Sequence, residues 1–540
     1  MPMSVLRGSS LSSSSSCVAG NGTISSSRRG LRGALSISIP RLMAKSPRPM
    51  AISPTLKDLL VHQLVSVAGR TDRHLVVFIW SYPILLVDLL TLETGMDAAP
   101  VPIMPISFAD AVPILTALNG IGPRADELDP RWHGGQLGHR GVEYNVGPSP
   151  ENFVLNMHYE KEDTQPTMYH VIGEIQGQIK DEVVIIGNHR DAWVAGAGDP
   201  ASGSAAMTEV IRSFGQAVQK GWRPLRTLMF ISWDGDEIGM FGAAYWVKEN
   251  LPWLFNQTVA YIEAVNAVSG RDLKFRISPL LGQLTRDVTS RIQSPNQTIP
   301  GQTVLDVWGG GLFQEGGGDS VPFMEKTITS GHINFVRGPQ DPVWHKHSGF
   351  DTVSWFDRFG DPTWQYHVTA AQIWALIAAR LVDSPVYPFN VTEFAVALRG
   401  YLADIESLAK TRSGFQFDFD PLHEAVSRLH AAALHFDAEA DLLRKAHTGC
   451  KSKPRDLFTK TQAANSKYRL FERQFYHVDE GDPEKNHVVF TPSSKTNQNR
   501  APLPDLWLAV DSGNVTETEV SAVMFISWIM LTVAEMAQYY

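Results

Sequence analysis

The stretch GNHRDAWVAGAGDPASG, residues 187–203, places metal-binding side-chain types directly after an aliphatic run. His189 and Asp191 follow Val183–Ile186, and Asp199 comes eight residues after Asp191. Imidazole and carboxylate groups are suitable ligands for zinc, and a carboxylate can bridge two metal ions. With two cysteines in 540 residues, a thiolate zinc site and a disulfide framework are excluded. A metal ion held here must therefore be bound by His, Asp and Glu.

A second set of carboxylates follows the next strand-like run. Asp236 and Glu237 come soon after Leu225–Trp233, and His347 lies much later in the chain. A free carboxylate beside a metal site can deprotonate water that the metal activates. Each of these residues alone is typical of a loop or a helix start, where carboxylates favour the helix dipole. Their joint occurrence after successive strands of one domain favours a metal site.

The elements that must position these side chains alternate between strand and helix from about residue 142. This alternation predicts an α/β domain with a mostly parallel sheet flanked by helices. Such sheets bind ligands at the carboxyl ends of their strands, where the polar residues lie. The strand-like runs are residues 182–187, 225–233 and 258–265, and the helix-like runs are residues 202–218, 240–250 and 362–381.

The pattern becomes helical after about residue 385. Phe394, Leu398 and Leu402 are among the apolar residues that recur at helical spacing. We therefore predict an all-α domain over residues 386–540. The apolar run Val520–Ala534 is short for a membrane span, and we predict a core helix there.

The N-terminal region has two unusual segments. Residues 1–57 contain no Asp or Glu and are rich in Ser and Arg, which predicts disorder. This composition fits equally well a transit peptide, a cytosolic tail before a membrane anchor, and an extension with no targeting signal. Residues 58–98 form a hydrophobic segment of unclear role. Its run Leu75–Leu92 contains Pro83 and Asp88, and a central charge costs about 2.5–3.5 kcal/mol on insertion scales. We therefore favour a buried segment over a membrane span.

Composition narrows the expected partners. The chain has 47 basic and 56 acidic residues, a formal net charge of −9. It has no basic block interleaved with aromatic residues, so nucleic acid is not an expected partner. Glycosylation sequons, which are compatible with the secretory pathway, occur at Asn21, Asn256, Asn296, Asn390 and Asn514.

These motifs resemble the glutamate carboxypeptidase II and transferrin receptor family of zinc exopeptidases. The resemblance rests on GNHRDAWVAGAGDPASG, ISWDGDEIGMFGAAYWVKEN and HKHSGFDT, and it covers about Pro100 to the C-terminus. It implies a co-catalytic zinc aminopeptidase-like fold over residues 142–385 and a helical dimerisation domain over 386–540. Residues 99–141 resemble the end of the family's apical domain, which is otherwise largely absent.

The resemblance implies a site for two zinc ions. His189 would bind one ion, Asp199 would bridge both, and Glu237 would bind the other. His347 would share the ion of Glu237 or face the first ion. Asp191 would orient His189 from outside the ligand set. The peptide bond after Asp199, which precedes a proline, is expected to be cis.

Two positions depart from the family pattern. Asp236 replaces a glutamate general base, and its reach is one methylene shorter. A base must come within about 2.6–3.2 Å of its proton, so the rate should fall. Val265 replaces an aspartate zinc ligand, and valine cannot bind zinc. Glu263 or Asn266 is the candidate replacement ligand; without a replacement, one of the two zinc ions is lost.

The substrate pocket also departs from the pattern. His332 and Asn334 stand where glutamate-selective members have arginines. Asn497 and Gln498 stand where a Lys-Tyr pair grips the terminal carboxylate. The bidentate arginine contacts that favour an acidic side chain are therefore missing. We do not expect glutamate specificity.

Two functions follow from these observations. The first is a zinc-dependent, carboxypeptidase-like exopeptidase that hydrolyses small peptides by metal-activated water, with Asp236 as base and with impaired activity. The alternative is a catalytically inactive binding or scaffold protein like the transferrin receptor, which Val265 favours. The resemblance further implies a peptide substrate, a glycosylated homodimer, and a location in the secretory pathway, the vacuole or, through an N-terminal anchor, a membrane.

Overall fold

The structure is a computed structural model. It describes residues 75–83, 104, 106–129, 132, 135–158, 167–313, 317–448, 456–477, 487–490 and 502–537. The predictions for residues 1–57, Asn497 and Gln498 lie outside this set. The chain forms two compact units, of which the smaller is Pro83–Thr167.

The smaller unit contains two short helices, α1 (Phe108–Thr116) and α2 (Ala125–Leu128). Side-chain amides connect its segments. Asn119 donates to the carbonyl of Gly141 at 2.6 Å, and Asn145 donates to the carbonyl of Gly122 at 3.0 Å. Neither helix buries a residue, and these two hydrogen bonds join segments that lie 22 and 23 residues apart in the chain.

Eight strands form the sheet of the larger unit: β1 (Leu75–Pro83), β2 (Thr167–Ile175), β3 (Ile179–His189), β4 (Arg226–Trp233), β5 (Thr258–Glu263), β6 (Asp272–Ile277), β7 (Leu312–Phe313) and β8 (Ser330–Val336). Their order is β1-β2-β4-β3-β5-β8-β6-β7. The β3–β4, β3–β5, β5–β8 and β6–β7 pairs are parallel, whereas β2–β4 and β6–β8 are antiparallel. The predicted α/β fold is confirmed, with a sheet that is mixed towards its edges.

Among the described residues of the larger unit, twelve helices cover this sheet and continue beyond it: α3 (Ala201–Gln219), α4 (Phe241–Gln257), α5 (Gly282–Thr289), α6 (Val304–Trp308), α7 (Val321–Glu325), α8 (Val353–Trp355), α9 (Gln365–Asp383), α10 (Val391–Lys410), α11 (Asp420–Thr448), α12 (Leu457–Phe471), α13 (Pro504–Asp511) and α14 (Val515–Ala537). The predicted helices at 202–218 and 362–381 correspond to α3 and α9. Helices α10–α14 form the predicted all-α domain.

The sheet core sits between two helical layers. Every residue of β4 and β5 is buried, as expected for strands covered on both faces. Val184 and Ile186 of β3 belong to the cluster that includes α3 and α9. Ile185, between them, belongs to the cluster that includes α4 and α7. Burying each such side chain contributes about 1.5–3 kcal/mol, so β3 has a fixed position at the centre.

Two buried arginines tie the helical domain and its linker to the sheet. Arg473, in the turn after α12, donates to the carbonyls of Thr258 at 2.6 Å and Phe255 at 3.1 Å. Arg226, at the start of β4, pairs with Glu182 at 2.5 Å and donates to the carbonyl of Ser384 after α9. Charge-assisted hydrogen bonds of this kind are stronger than neutral ones. They fix the amino ends of the two strands that flank β3.

The two apolar runs singled out in the sequence have different structures. Within the run Leu75–Leu92, Leu75–Pro83 is the edge strand β1, and the rest of the run lies outside the described residues. The run Val520–Ala534 lies within α14, which packs Phe525 and Ile529 into the core. The prediction of a core helix is half wrong, because Val523 and Leu531 are 65% and 60% exposed. By length and composition, α14 also qualifies as a candidate membrane span.

Candidate metal site

The strand register brings the predicted site residues to one edge of the sheet. In the parallel β3–β4 pair, His189 lies opposite Trp233, so the carboxylates after β4 follow directly beside it. In the parallel β3–β5 pair, Gly187 lies opposite Glu263. Because parallel strands end at the same edge, the segments after β3, β4 and β5 meet there.

His189 is fully buried at the end of β3. Its Nδ1 contacts the carbonyl oxygen of Asp191 at 3.0 Å. Its Nε2 lies 3.1 Å from Asp199 Oδ1 and 3.6 Å from Asp236 Oδ2. Burial opposes a positive charge, but the hydrogen bonds with Asp191 and Asp199 outweigh it and raise the pKa of His189. A proton on Nδ1 leaves Nε2 directed at the carboxylates as a potential ligand.

Asp191 connects the first loop to the second. Its Oδ1 accepts from the backbone amide of Asp236 at 3.1 Å, and its Oδ2 accepts from that of Glu237 at 3.0 Å. Oδ1 also lies 3.5 Å from His189 Nδ1. The predicted role of orienting His189 therefore accounts for only part of its contacts, because Asp191 also holds the loop that carries the other two carboxylates.

Asp199 is held in place by Asp351, a residue far along the chain. Asp351 accepts from the backbone amides of Gly198 at 2.7 Å and Asp199 at 3.2 Å. The indole of Trp344 donates to the same carboxylate at 2.9 Å. The peptide bond between Asp199 and Pro200 is cis, as expected. Asp351 thus positions the central carboxylate of the site from the opposite loop.

His347 lies beside Glu237 on the outer side of Asp199. Its Nε2 is 3.0 Å from Glu237 Oε2 and 3.5 Å from Asp199 Oδ2. Its φ of 60° is in the left-handed region, which is sparsely populated for residues other than glycine. The resemblance left open whether His347 would share the ion of Glu237 or face the first ion. This geometry matches the first of these arrangements.

Lys346 also reaches this carboxylate, and the sequence analysis did not single it out. Its Nζ lies 2.6 Å from Asp199 Oδ2. Burial would raise the pKa of Asp199, but His189 and Lys346 outweigh it and hold the pKa well below its usual range. The signal available in the sequence was a lysine directly before a predicted ligand in HKHSGFD.

The residues present fit a zinc ion. His189, Asp199 and Glu237 each offer a ligand atom, and these atoms lie within 4.8 Å of one another. Imidazole and carboxylate are both zinc ligands, and three protein ligands leave a catalytic zinc ion one open position. Three buried carboxylate oxygens of the site, Asp199 Oδ2, Asp236 Oδ1 and Glu237 Oε1, accept no hydrogen bond from the described residues, although Asp199 Oδ2 lies 2.6 Å from Lys346 Nζ. Such oxygens favour a cation, since a buried unpaired carboxylate oxygen is costly.

Asp236 lies against His189, and its side chain is 10% exposed. Burial raises the pKa of its carboxyl to about 7. A general base works best when its pKa lies near the working pH. This pKa suits the role of base that the family resemblance implies for this position, where the family has a glutamate.

The segment after β5 offers a buried hydrogen-bonded pair in place of an aspartate ligand. Val265 is buried and packs closely against Gly318. A Cβ atom added to Gly318 would lie only 2.5 Å from Cγ2 of Val265. Glu263 Oε1 lies 2.9 Å from His332 Nδ1. Burial raises the pKa of Glu263 to about 8 and lowers that of His332 to about 3, so this contact joins two neutral groups rather than an ion pair. Asn266, the other candidate replacement ligand, accepts from Asn334 at 3.2 Å.

A guanidinium lies beside Asn334, one of the two positions at which this chain lacks the arginine of glutamate-selective family members. Arg276 of β6 donates to Asn334 Oδ1 at 3.1 Å. This arginine comes from the neighbouring strand, which pairs with β8 in antiparallel register and places Arg276 opposite His332. Only the pairing of β6 with β8, which the sequence did not predict, could have identified it.

Comparisons with known proteins match both halves of the larger unit. Residues 170–366 match the family model described as "Peptidase family M28". Residues 417–536 match the "Transferrin receptor-like dimerisation domain". The two matches coincide with the α/β part and the helical part of the chain.

Three similar proteins carry peptidase names. A "Probable glutamate carboxypeptidase" of Arthroderma benhamiae is 35% identical over 425 residues, covering 76% of this chain and 56% of the relative. "Probable glutamate carboxypeptidase LAMP1" of Arabidopsis thaliana is 31% identical over 438 residues, covering 79% and 59%. "Aminopeptidase NAALADL1" of Rattus norvegicus is 30% identical over 430 residues, covering 73% and 55%. The chain thus spans little more than half the length of these relatives.

Proposed function

Because this chain belongs to peptidase family M28 through residues 170–366 and carries a transferrin receptor-like dimerisation domain over 417–536, we propose that it is a zinc-dependent exopeptidase acting on small peptides. The observation that carries the proposal is the convergence of His189, Asp199 and Glu237 at the carboxyl edge of the sheet. A peptidase ancestry alone would not require these three side chains to remain directed at one another.

Zinc would be held by these three residues. When bound, it would supply a Lewis acid for the scissile carbonyl and lower the pKa of water at the site. The remaining steps rest on the side chains. Asp191 keeps the imidazole of His189 and the amides of Asp236 and Glu237 in fixed positions, so the ligands are preorganised rather than assembled on binding.

Asp236 is proposed to move the proton. Its Oδ1 has no hydrogen-bond partner among the described residues and can accept a proton from the attacking water. The same carboxyl can then donate that proton to the nitrogen of the leaving amine. Because aspartate reaches one methylene less far than glutamate, we expect slower turnover than a glutamate at this position would give.

Hydrolysis of blocked and unblocked dipeptides by the zinc-loaded protein tests this proposal. Peptides blocked at the N-terminus report carboxypeptidase activity, and peptides blocked at the C-terminus report aminopeptidase activity. Glu237→Gln should remove hydrolysis, whereas Glu517→Gln, an exposed carboxylate on α14, should not. If the zinc-loaded protein cleaves neither class, the alternative of an inactive binding protein is favoured, in keeping with the apolar Val265.

We also propose that the chain forms a homodimer through an apolar stripe on α14. The stripe is exposed, and its spacing of three and four residues is that of a helix-packing seam. It lies within the match to the dimerisation domain, which makes a second copy of the chain the expected partner. The stripe consists of Val520, Val523, Met524, Met530 and Leu531.

Sedimentation of the wild-type chain and of Val523→Glu/Leu531→Glu tests this assembly. The wild type should sediment as a dimer and the double variant as a monomer, because each copy would bury two charges at the seam. A wild-type monomer in buffer that binds lipid vesicles through α14 would instead support a membrane span.

A further inference from the structure

The two carboxylate oxygens of Asp199 face different groups. Oδ1 lies 3.1 Å from His189 Nε2. Oδ2 lies 2.6 Å from Lys346 Nζ and 3.5 Å from His347 Nε2. The oxygen that would bind a second metal ion is therefore already next to a positive charge of the protein itself.

The loop that carries Lys346 is held by the same carboxylate that holds Asp199. Asp351 accepts from the amides of Gly198 and Asp199 and from the indole of Trp344, two residues before Lys346. The two loops are thus joined by one buried carboxylate. The Lys346 side chain is 46% exposed, yet its ammonium turns towards the buried carboxylate instead of water.

Two zinc ions at this site would have to share Asp199 and Glu237. One group of three residues, His189, Asp199 and Glu237, can hold an ion among the described residues. A second ion would depend on Asp199 Oδ2, His347 and the second oxygen of Glu237, which lies 3.0 Å from His347. That position is the one beside Lys346. Val265, buried and apolar, adds no ligand to either set.

We propose that this chain binds a single zinc ion, on His189, Asp199 and Glu237, and that the Lys346 ammonium holds the second cation position beside Asp199 and His347. The inference rests on the proposed function for the identity of the metal. It assigns Lys346 a role as a tethered cation that neutralises part of the charge of the carboxylate cluster. A fixed monovalent cation and a second zinc ion exclude one another there, because both would contact Asp199 Oδ2.

Zinc stoichiometry of the folded full-length chain tests the inference without an activity assay. Metal-free protein is titrated with zinc by calorimetry, and bound zinc is counted by elemental analysis after dialysis. The wild type and Lys346→Arg should bind one ion. Lys346→Met should bind two, since removal of the ammonium opens the position beside His347. Lys346→Met/His347→Ala should return to one.

The control is Lys220→Met, which removes one positive charge from an exposed position after α3 and should leave the count at one. Circular dichroism confirms that each variant is folded. Two ions in the wild type, or one ion in folded Lys346→Met, would overturn the inference while leaving a zinc peptidase intact. No zinc in the folded wild type would overturn the proposed function as well, so the two failures are distinguishable.

Discussion

The groups on the two sides of Asp199 differ in burial. On the inner side, defined by His189, the imidazole is fully buried and ends a central strand. On the outer side, defined by Lys346 and His347, the side chains lie in a loop and are 46% and 41% exposed. The inner side is fixed by strand register and by Asp191, which makes three contacts with groups around it. The outer side depends on Asp351, which bridges two loops. The inner side is therefore rigid, and the outer side is where a lysine could enter without disturbing the sheet.

The largest difference in zinc binding is expected when the histidine on each side of Asp199 is replaced by alanine. His189→Ala should abolish zinc binding and hydrolysis, because it removes one of three ligands from a buried cluster. The loss should exceed the roughly 10–100-fold that removal of an outer-shell partner costs. His347→Ala should leave one zinc ion bound. Equal loss of zinc in both variants, measured by elemental analysis, would show that the two sides contribute alike.

A second test concerns the base on the inner side. Asp236→Asn should lower kcat by about 10²–10⁴-fold, the usual contribution of general acid–base catalysis, while zinc remains bound. Asp236→Glu is the matched variant, and it should raise kcat above that of the wild type by restoring the longer reach. If Asp236→Asn retained full activity on dipeptides, the proton would have to move through another group.

A third, smaller difference is expected between the two carboxylates that position the site. Asp191→Ala should weaken zinc binding by about 10–100-fold, because the imidazole and two backbone amides lose their partner. Asp351→Ala should mainly lower the free energy of unfolding, by about 1–3 kcal/mol for a buried donor left unpaired. Calorimetric zinc titration and urea denaturation measure the two quantities. A larger effect of Asp351→Ala on zinc affinity would reverse the assignment of rigidity.

The same contrast governs what could be predicted from the sequence. His189, Asp199 and Glu237 are candidates because they follow strands, whose aliphatic runs fix where the strands end, and the family resemblance implies their roles as ligands. Lys346 and Asp351 were not assigned their contacts, since their partner Asp199 lies about 150 residues away and loop packing leaves no periodic signal.

The exposed face of α14 and the position of Arg276 could not be predicted from the sequence, because both depend on contacts between distant segments. Apolar content suggested a core helix at Val520–Ala534 but not that one face of α14 would remain exposed. Arg276 was missed because it depends on the antiparallel pairing of β6 with β8. Local patterns specify the type of an element, whereas its neighbours depend on contacts between distant segments.

The smallest predicted effect concerns acid stability on the inner side. His170 of β2 packs edge-on against Trp233, with ring centroids 5.2 Å apart, and its Nδ1 accepts from the amide of Asp234 at 3.2 Å. Burial, and then the charge of Arg190, lower its pKa from 6.5 to about 4. The neutral ring therefore contributes stability that is complete above pH 6.5 and is lost as the pH falls through 4.

His170→Asn keeps an acceptor for the amide of Asp234 but cannot bind a proton in this range. The variant should therefore lose about 1–3 kcal/mol less stability than the wild type as the pH falls across this window, at about 1.4 kcal/mol per pKa unit. Urea denaturation at pH 7, 5.5 and 4 measures the difference between the two proteins, and the other histidines cancel in it. Parallel curves would mean that His170 has the same pKa in the folded and the unfolded chain, and that its ring is more accessible to water than its burial implies.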